Sequence, residues 1–233
     1  MTIKLITFDL DNTLWHTDPV IIRAEQIQWR SIIARCPDAS IRLTPEHLQQ
    51  LKLKIAQQFP ELRHKLSLFR IEFLFQLFIQ CGFNKEQARL FADQVFADFL
   101  HARNQVELFP KALAVLEKLQ QDYQVIALSN GNSDLTTIGL NHLFQAHYHA
   151  ENVARAKPFA DMFLAALDNA GVEADESFHI GDHPEQDVEA AKGLGFKTIW
   201  ANVLQQEWPA SVNKADHEIT HLDQLIDVLK KYR

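Results

Sequence analysis

A short apolar run near the N-terminus, IKLITF (residues 3–8), reads as a buried strand, yet the next strand-like segment does not begin until residue 124. What lies between is helical in rhythm. PVIIRAEQIQWRSIIARC, TPEHLQQLKLKIAQQF, LRHKLSLFRIEFLFQLFIQCG and NKEQARLFADQVFADFLHAR place apolar residues three and four apart, the spacing of about four helices between Pro19 and Arg103. Start and stop signals agree: Asp18 precedes Pro19, Thr44 precedes Pro45, and Gly82 closes the third segment. After LFP (108–110) the rhythm changes. The strands QVIALSN, HYHAEN, SFHIGD and KTIWAN alternate with the helices KALAVLEKLQQ, a segment near 134–142, FADMFLAALDNAG, PEQDVEAAKGLG and LDQLIDVLKKY. Strands and helices alternating at this length predict an α/β fold, a parallel sheet covered on both faces. The helical block is then an insertion. The expected domains are a core of residues 1–15 and 105–233 and a helical domain of residues 16–104.

Composition excludes several classes. A chain of 233 residues that is 47% hydrophobic can bury a large core, which rules out disorder. A net charge of −7, with no basic run longer than a dipeptide, argues against a nucleic-acid partner. The most apolar window, Leu66 to Gln80, is interrupted by Arg70, Glu72 and Gln76, which is too polar for a bilayer span. The N-terminus reaches Asp9 before it could supply a signal-peptide core, so a cytoplasmic protein without membrane association is expected. Cys36 and Cys81 form no close-spaced pair, which disfavours a disulfide framework or a cysteine zinc site and fits a reducing compartment. Seven glycines leave no glycine-rich phosphate loop.

Ligands of open parallel sheets bind beyond the carboxyl ends of the strands, so the residues that end each strand carry the functional information. The first strand ends in Asp9 and Asp11, the second in Ser129 and Asn130, and FHIG in Asp182, with Asp187 five residues on; Lys157 and Pro158 precede another helix. Carboxylates gathered at one locus repel each other and resist ionisation unless a positive charge sits among them. A divalent cation would resolve this, and magnesium suits one or two carboxylates, waters and a substrate phosphate oxygen. A carboxylate near a lysine and a metal can attack phosphorus and form an aspartyl phosphate, and a second acid can protonate the leaving alkoxide and then activate water.

DLDNTL (9–14), SNG (129–131), KP (157–158) and GDHPEQD (181–187) stand in the order and spacing of the four motifs of haloacid dehalogenase-like hydrolases, and the chain resembles that family over its whole length. The resemblance implies a Rossmann-like core with an inserted α-helical cap of the first-position (C1) type. It implies Asp9 as nucleophile and magnesium ligand, and Asp11 as acid/base that lends its carbonyl to the metal. Ser129 and Asn130 would bind the phosphoryl group, and Lys157 would neutralise nucleophile and phosphate. Asp182 would ligate Mg2+, and Asp187 would orient the metal shell or Lys157. Dehalogenases of the family attack carbon and need neither the second acid nor a metal, so Asp11 and Asp182 favour phosphoryl transfer. FDLDNTLWHTDPVIIRAE, SNGNSDL and KPFADMFLAAL are further similar to the flavin mononucleotide phosphatases of bacterial riboflavin metabolism, which also act on the phosphorylated ribitylamino-uracil intermediate. The implied partner is a small-molecule phosphate ester, and the implied assembly a monomer or homodimer. Broad sugar or nucleotide phosphatases, phosphomutases and haloacid dehalogenases of the same fold are the alternatives, with a non-catalytic binding or regulatory protein as the alternative of another class.

Other residues have plainer readings. Trp15, after the first acidic loop, is a candidate to gate or stack on substrate, and Arg70 a candidate to meet an anionic group, against a snorkelling arginine. His147 and His149 share a strand face but lack a third metal ligand in sequence. The phenylalanines from Phe69 to Phe78, and both cysteines, read as helix-packing core.

Overall fold

The structure is a computed structural model describing residues 2–62 and 64–232, without the side chains of Ser40 and Arg42. The described residues form two compact units, one comprising residues up to Thr17 together with those from Val106 onward, the other Asp18–Gln105.

The first unit is built on six strands: β1 Leu5–Phe8, β2 Gln124–Ser129, β3 Ala146–His149, β4 Ser177–Gly181, β5 Lys197–Ala201 and β6 His217–Ile219. Their order is β3-β2-β1-β4-β5-β6 and every pairing is parallel. This is the expected Rossmann-like core, and the strand order reverses between β1 and β4, where such sheets place their ligands. Side chains alternate between the faces. Ile6 and Phe8, with Val125, Ala127, Phe178 and Ile180, pack under Ala112–Asp122 and Gln224–Lys230. Leu5, Ile126 and Leu128 pack on the other face under Asp161–Ala170 and Ala190–Gly193. Each face of the sheet thus has its own apolar layer, as near-continuous apolar strands require.

The helical unit contains α1 Thr17–Arg35, α2 Ala39–Arg42, α3 Pro45–Gln58, α4 Leu66–Gln80 and α5 Lys85–Arg103, α1 beginning one residue before the unit. Its core gathers Ile32, Leu51, Ile55, Phe73, Leu74, Leu77, Phe78, Ala88, Ala92 and Val95. Phe78, Phe83 and Phe91 meet edge to face with centroids 5.1–5.9 Å apart, so the phenylalanine stripe is packing. Cys36 lies in the same cluster and Cys81 packs against it.

Several segments differ from the sequence reading: the helical unit carries a short extra helix, α2, and α1 begins at Thr17, ahead of Asp18 and Pro19. The segment near 134–142 is a short helix, Leu135–Ile138, and a 3-10 turn, Asn141–Leu143, because Gly139 between them adopts φ +89°. PEQDVEAAKGLG is a π-type turn, Pro184–Glu189, followed by Ala190–Gly193. The three-residue β6 has no counterpart in the sequence reading; it pairs with β5 at the sheet edge. No helix among the described residues is long and apolar enough to cross a membrane.

Candidate active site

The crevice between β1 and β4 collects the acidic motifs. Asp9 follows β1 directly, and its backbone N–H donates to the Ile180 carbonyl of β4 at 2.8 Å, which ties the two strand ends together. Beyond it the chain turns tightly, with Leu14 N–H returning to the Leu10 carbonyl and the Thr13 hydroxyl donating to Asp9 Oδ2 at 3.2 Å. Asn12 takes φ +60°, a left-handed conformation that asparagine tolerates better than most residues. Its side chain accepts from Thr17 N–H while its own N–H donates to Thr17 Oγ1, which laces the loop shut.

Lys157 is buried to 4% exposure and all three ammonium protons have acceptors: Asp9 Oδ1 at 2.8 Å, the Leu128 carbonyl at 2.7 Å and Asp187 Oδ1 at 2.5 Å. Its backbone is clamped by Asn130, whose Oδ1 accepts the Lys157 N–H at 2.9 Å while Nδ2 donates to the Lys157 carbonyl at 2.8 Å and to Gln186 Oε1 at 2.9 Å. The Asn130 side chain is thus engaged at both ends and holds the Lys157 backbone. Ser129, fully buried at the end of β2, accepts Gly131 N–H at 3.0 Å.

Asp187 reaches the site because the π-type turn swings it back over Gly181. A Cβ at residue 181 would lie 2.3 Å from Asp187 Cγ, so only glycine permits the approach. Asp187 Oδ1 accepts from Lys157 and from His179 Nε2 at 3.1 Å, and Oδ2 from His183 N–H at 3.0 Å. The Asp182 backbone is anchored by Trp200 Nε1, which donates to its carbonyl at 2.7 Å.

Asp9, Asp182 and Asp187 can each turn an oxygen to within 4.8 Å of the others. Burial raises Asp9 to about 7, the nearby Lys157 only partly opposing it. Burial, then Asp9 and Asp187, raise Asp182 to about 8. For Asp187 burial is outweighed by Lys157 and His179, and its carboxyl falls well below the usual range. For Lys157 burial is likewise outweighed by Asp187 and Asp9, and the ammonium is held above the ordinary lysine value. Three acids therefore face one ammonium, and burial, which Lys157 offsets only in part, leaves two of them protonated to near neutrality. A hard divalent cation fits such an all-oxygen set. His147 and His149, with ring centroids 5.3 Å apart, stand outside this group, and burial followed by His149 pushes His147 down to about 4.

Asp11 Oδ1 accepts from the Trp15 indole N–H at 2.9 Å and from the Thr17 hydroxyl at 2.8 Å. Trp15 has no exposed surface, and its indole N–H braces Asp11. Arg70 lies within the helical unit, its guanidinium 3.8 Å from the Phe99 ring, bonded to Gln28 at 3.0 Å and near Glu25 at 3.7 Å. Thr7, Thr13, His179, His183, Gln186 and Trp200 were missing from the sequence reading of the site. Thr13, His183 and Gln186 stand inside the quoted motifs and His179 inside a quoted strand, but residue type and position there carry no signal of what the side chains touch.

The sequence model of haloacid dehalogenase-like hydrolases matches residues 3–195, and the chain belongs to that family. Among curated relatives it is 28% identical over 210 residues, 88% of each chain, to the 5-amino-6-(5-phospho-D-ribitylamino)uracil phosphatase YigB of Escherichia coli (strain K12). It is 21% identical, over 99% of each chain, to a glyceraldehyde 3-phosphate phosphatase of Methanocaldococcus jannaschii. Among solved structures it superposes with a TM-score of 0.94 at 35% identity, covering 99% of this chain and 100% of the other, on a protein described as a 2-haloacid dehalogenase from Pseudomonas syringae pv. Tomato DC3000. Family and curated relatives together support a phosphatase-type hydrolase.

Proposed function

We propose that the protein is a magnesium-dependent phosphatase acting on a small-molecule phosphate monoester through an aspartyl phosphate, with flavin mononucleotide or the phosphorylated ribitylamino-uracil of riboflavin metabolism as substrate. The observation that carries the reading is the pairing of buried Asp9 with Lys157 at 2.8 Å, beside an Asp182 carboxyl that Lys157 only partly neutralises. The substrate class is supported by the likeness to YigB and by the motif resemblance. The helical unit, inserted in sequence between Asp11 and β2, is read as the cap that selects the leaving group.

In the first step a carboxylate oxygen of Asp9 forms a bond to phosphorus while the ester P–O bond breaks, and Asp11 delivers a proton to the leaving oxygen. In the second, Asp11 takes a proton from water as the water oxygen bonds to phosphorus, inorganic phosphate departs and the Asp9 carboxylate is regenerated. Ser129 donates its hydroxyl proton to a phosphoryl oxygen, and Lys157 compensates charge on Asp9 as it forms the acyl phosphate. Asp9, Asp182 and the Asp11 carbonyl would hold Mg2+, with Asp187 behind them. When bound, the ion neutralises the carboxylates and the phosphoryl oxygens.

A second reading has a specific support, the 35% identical structure described as a 2-haloacid dehalogenase. A halide leaves as an anion and needs no proton donor, and displacement at carbon adds no phosphoryl charge for a metal to balance; Asp11 and Asp182 would then be idle. The test measures phosphate release from p-nitrophenyl phosphate and flavin mononucleotide, and chloride release from 2-chloropropionate, each with Mg2+ or a chelator. Phosphate release that requires Mg2+ and drops on the order of 10³-fold or more in Asp9→Asn, with thermal stability retained, is expected. Chloride release insensitive to the chelator, without phosphate release, would overturn the reading.

A further inference from the structure

On the face of the sheet that carries Leu5 and Leu128, two polar side chains are buried side by side. Thr7 of β1 and His179 of β4 are direct partners in the β1–β4 register, at 0% and 1% exposure. Thr7 Oγ1 lies 2.8 Å from His179 Nδ1, and His179 Nε2 lies 3.1 Å from Asp187 Oδ1. The ring edge is fixed by Phe163, 4.9 Å away between centroids at 81°. From Asp187 the hydrogen bonds continue to Lys157 Nζ and on to Asp9 Oδ1, so an unbroken buried line joins Thr7 to the proposed nucleophile two residues later, just past the end of the same strand.

The polarity of that line follows from its ends. An ionised Asp187 can only accept, so the His179 proton sits on Nε2. Burial of the ring disfavours its charged form, so Nδ1 stays unprotonated and accepts the Thr7 hydroxyl proton at 2.8 Å, a shorter contact than the 3.2 Å to the Phe178 carbonyl.

We propose that His179, as the neutral Nε2–H tautomer oriented by Thr7, is a positioning residue for Lys157: it fixes the Asp187 carboxylate, and Asp187 in turn aims the ammonium at Asp9. Asp187 Oδ1 is shared between two donors, and removing the imidazole N–H leaves this oxygen with Lys157 alone, free to follow the ammonium instead of directing it. Partners of this kind, one contact removed from the reacting atoms, are worth about 10–100-fold in activity where they have been replaced in metal sites.

The inference rests on the roles of Asp9 and Lys157 proposed above, and the two fail differently. If those roles are wrong, the wild-type protein shows no magnesium-dependent turnover of p-nitrophenyl phosphate. If only the His179 assignment is wrong, wild-type turnover is intact and His179→Leu equals it. The expected result is a ~10–100-fold fall in kcat for His179→Leu with KM unchanged, and recovery of most of it in His179→Gln, whose amide restores an N–H donor. Equal losses in the Leu and Gln variants would overturn the proposal. Should His179→Leu not fold, imidazole 15N NMR of the wild type and of Thr7→Val decides. The wild type is expected to show a protonated Nε2 and an unprotonated Nδ1, and Thr7→Val a shift of the Nδ1 resonance together with a lower kcat. A wild-type ring protonated on Nδ1 refutes it.

Discussion

Asp9, Asp182 and Asp187 are the same residue type within one crevice, and their environments drive them apart. Asp187 accepts from an ammonium, an imidazole and a backbone N–H and stays ionised, while Asp9 and Asp182 keep their protons until about 7 and 8. The arrangement depends on an atom that is missing, the Cβ of residue 181. Gly181→Ala would set a methyl 2.3 Å from Asp187 Cγ, and Asp187 cannot yield without releasing Lys157. We expect this variant to lose ~1–3 kcal/mol of stability by overpacking and about 10–100-fold in kcat, read by urea denaturation and aryl phosphate turnover. Full activity in Gly181→Ala would show that Asp187 need not sit where it does. The carboxylates, Ser129 and Lys157 are legible in sequence because their types and spacing are chemical. The committed state of the Asn130 amide and the burial of Trp15 are not, since both depend on residues distant in the chain, Lys157 and Gln186 for the one and the packed core for the other.

Among the secondary elements, termini with local signals were readable and those with tertiary causes were not. Thr44 caps α3, its Oγ1 accepting the His47 N–H at 3.4 Å ahead of Pro45 at the first helical position. Asn84 and Gln87 form a reciprocal capping box at the start of α5, with Asn84 Oδ1 accepting Gln87 N–H at 2.9 Å and Gln87 Oε1 accepting Asn84 N–H at 3.4 Å. Asn84→Ala is expected to cost ~1 kcal/mol in chemical denaturation and to leave kcat unchanged. A stability equal to wild type would mean that α5 is held by packing alone. The π-type turn at Pro184–Glu189 opens a segment, 184–195, that reads in sequence as one ordinary helix, and its widening lets Asp187 face Gly181, Lys157 and His179. Strand β6 is three residues long and carries too little periodicity to be distinguished from a loop.

For the molecule as a whole, the excess of buried acid couples stability, pH and metal. Asp9 and Asp182 have folded pKa values above the ordinary 3.8, so between about 4 and 8 the folded state holds more protons than the unfolded one, and their contribution to stability declines as pH rises. Asp187, shifted downward, contributes in the opposite sense: its stabilisation is present above the ordinary carboxylate pKa and is lost on acidification below it. A bound divalent cation would replace the two protons, so Mg2+ should raise the melting temperature more at pH 8 than at pH 6, with a chelator reversing the gain. Equal shifts at the two pH values would refute a site built from Asp9 and Asp182. The amino-acid order by itself determined the parallel α/β core, the helical insertion and the acids at the strand ends, because apolar periodicity and turn chemistry act over a few residues. Only the tertiary structure decided which side chains hold those acids in place. Thr7, His179, Asn130 and Trp200 are brought to the crevice by strand register and buried contacts, and a hydrogen bond across 172 positions of chain, as between Thr7 and His179, leaves no trace in local sequence.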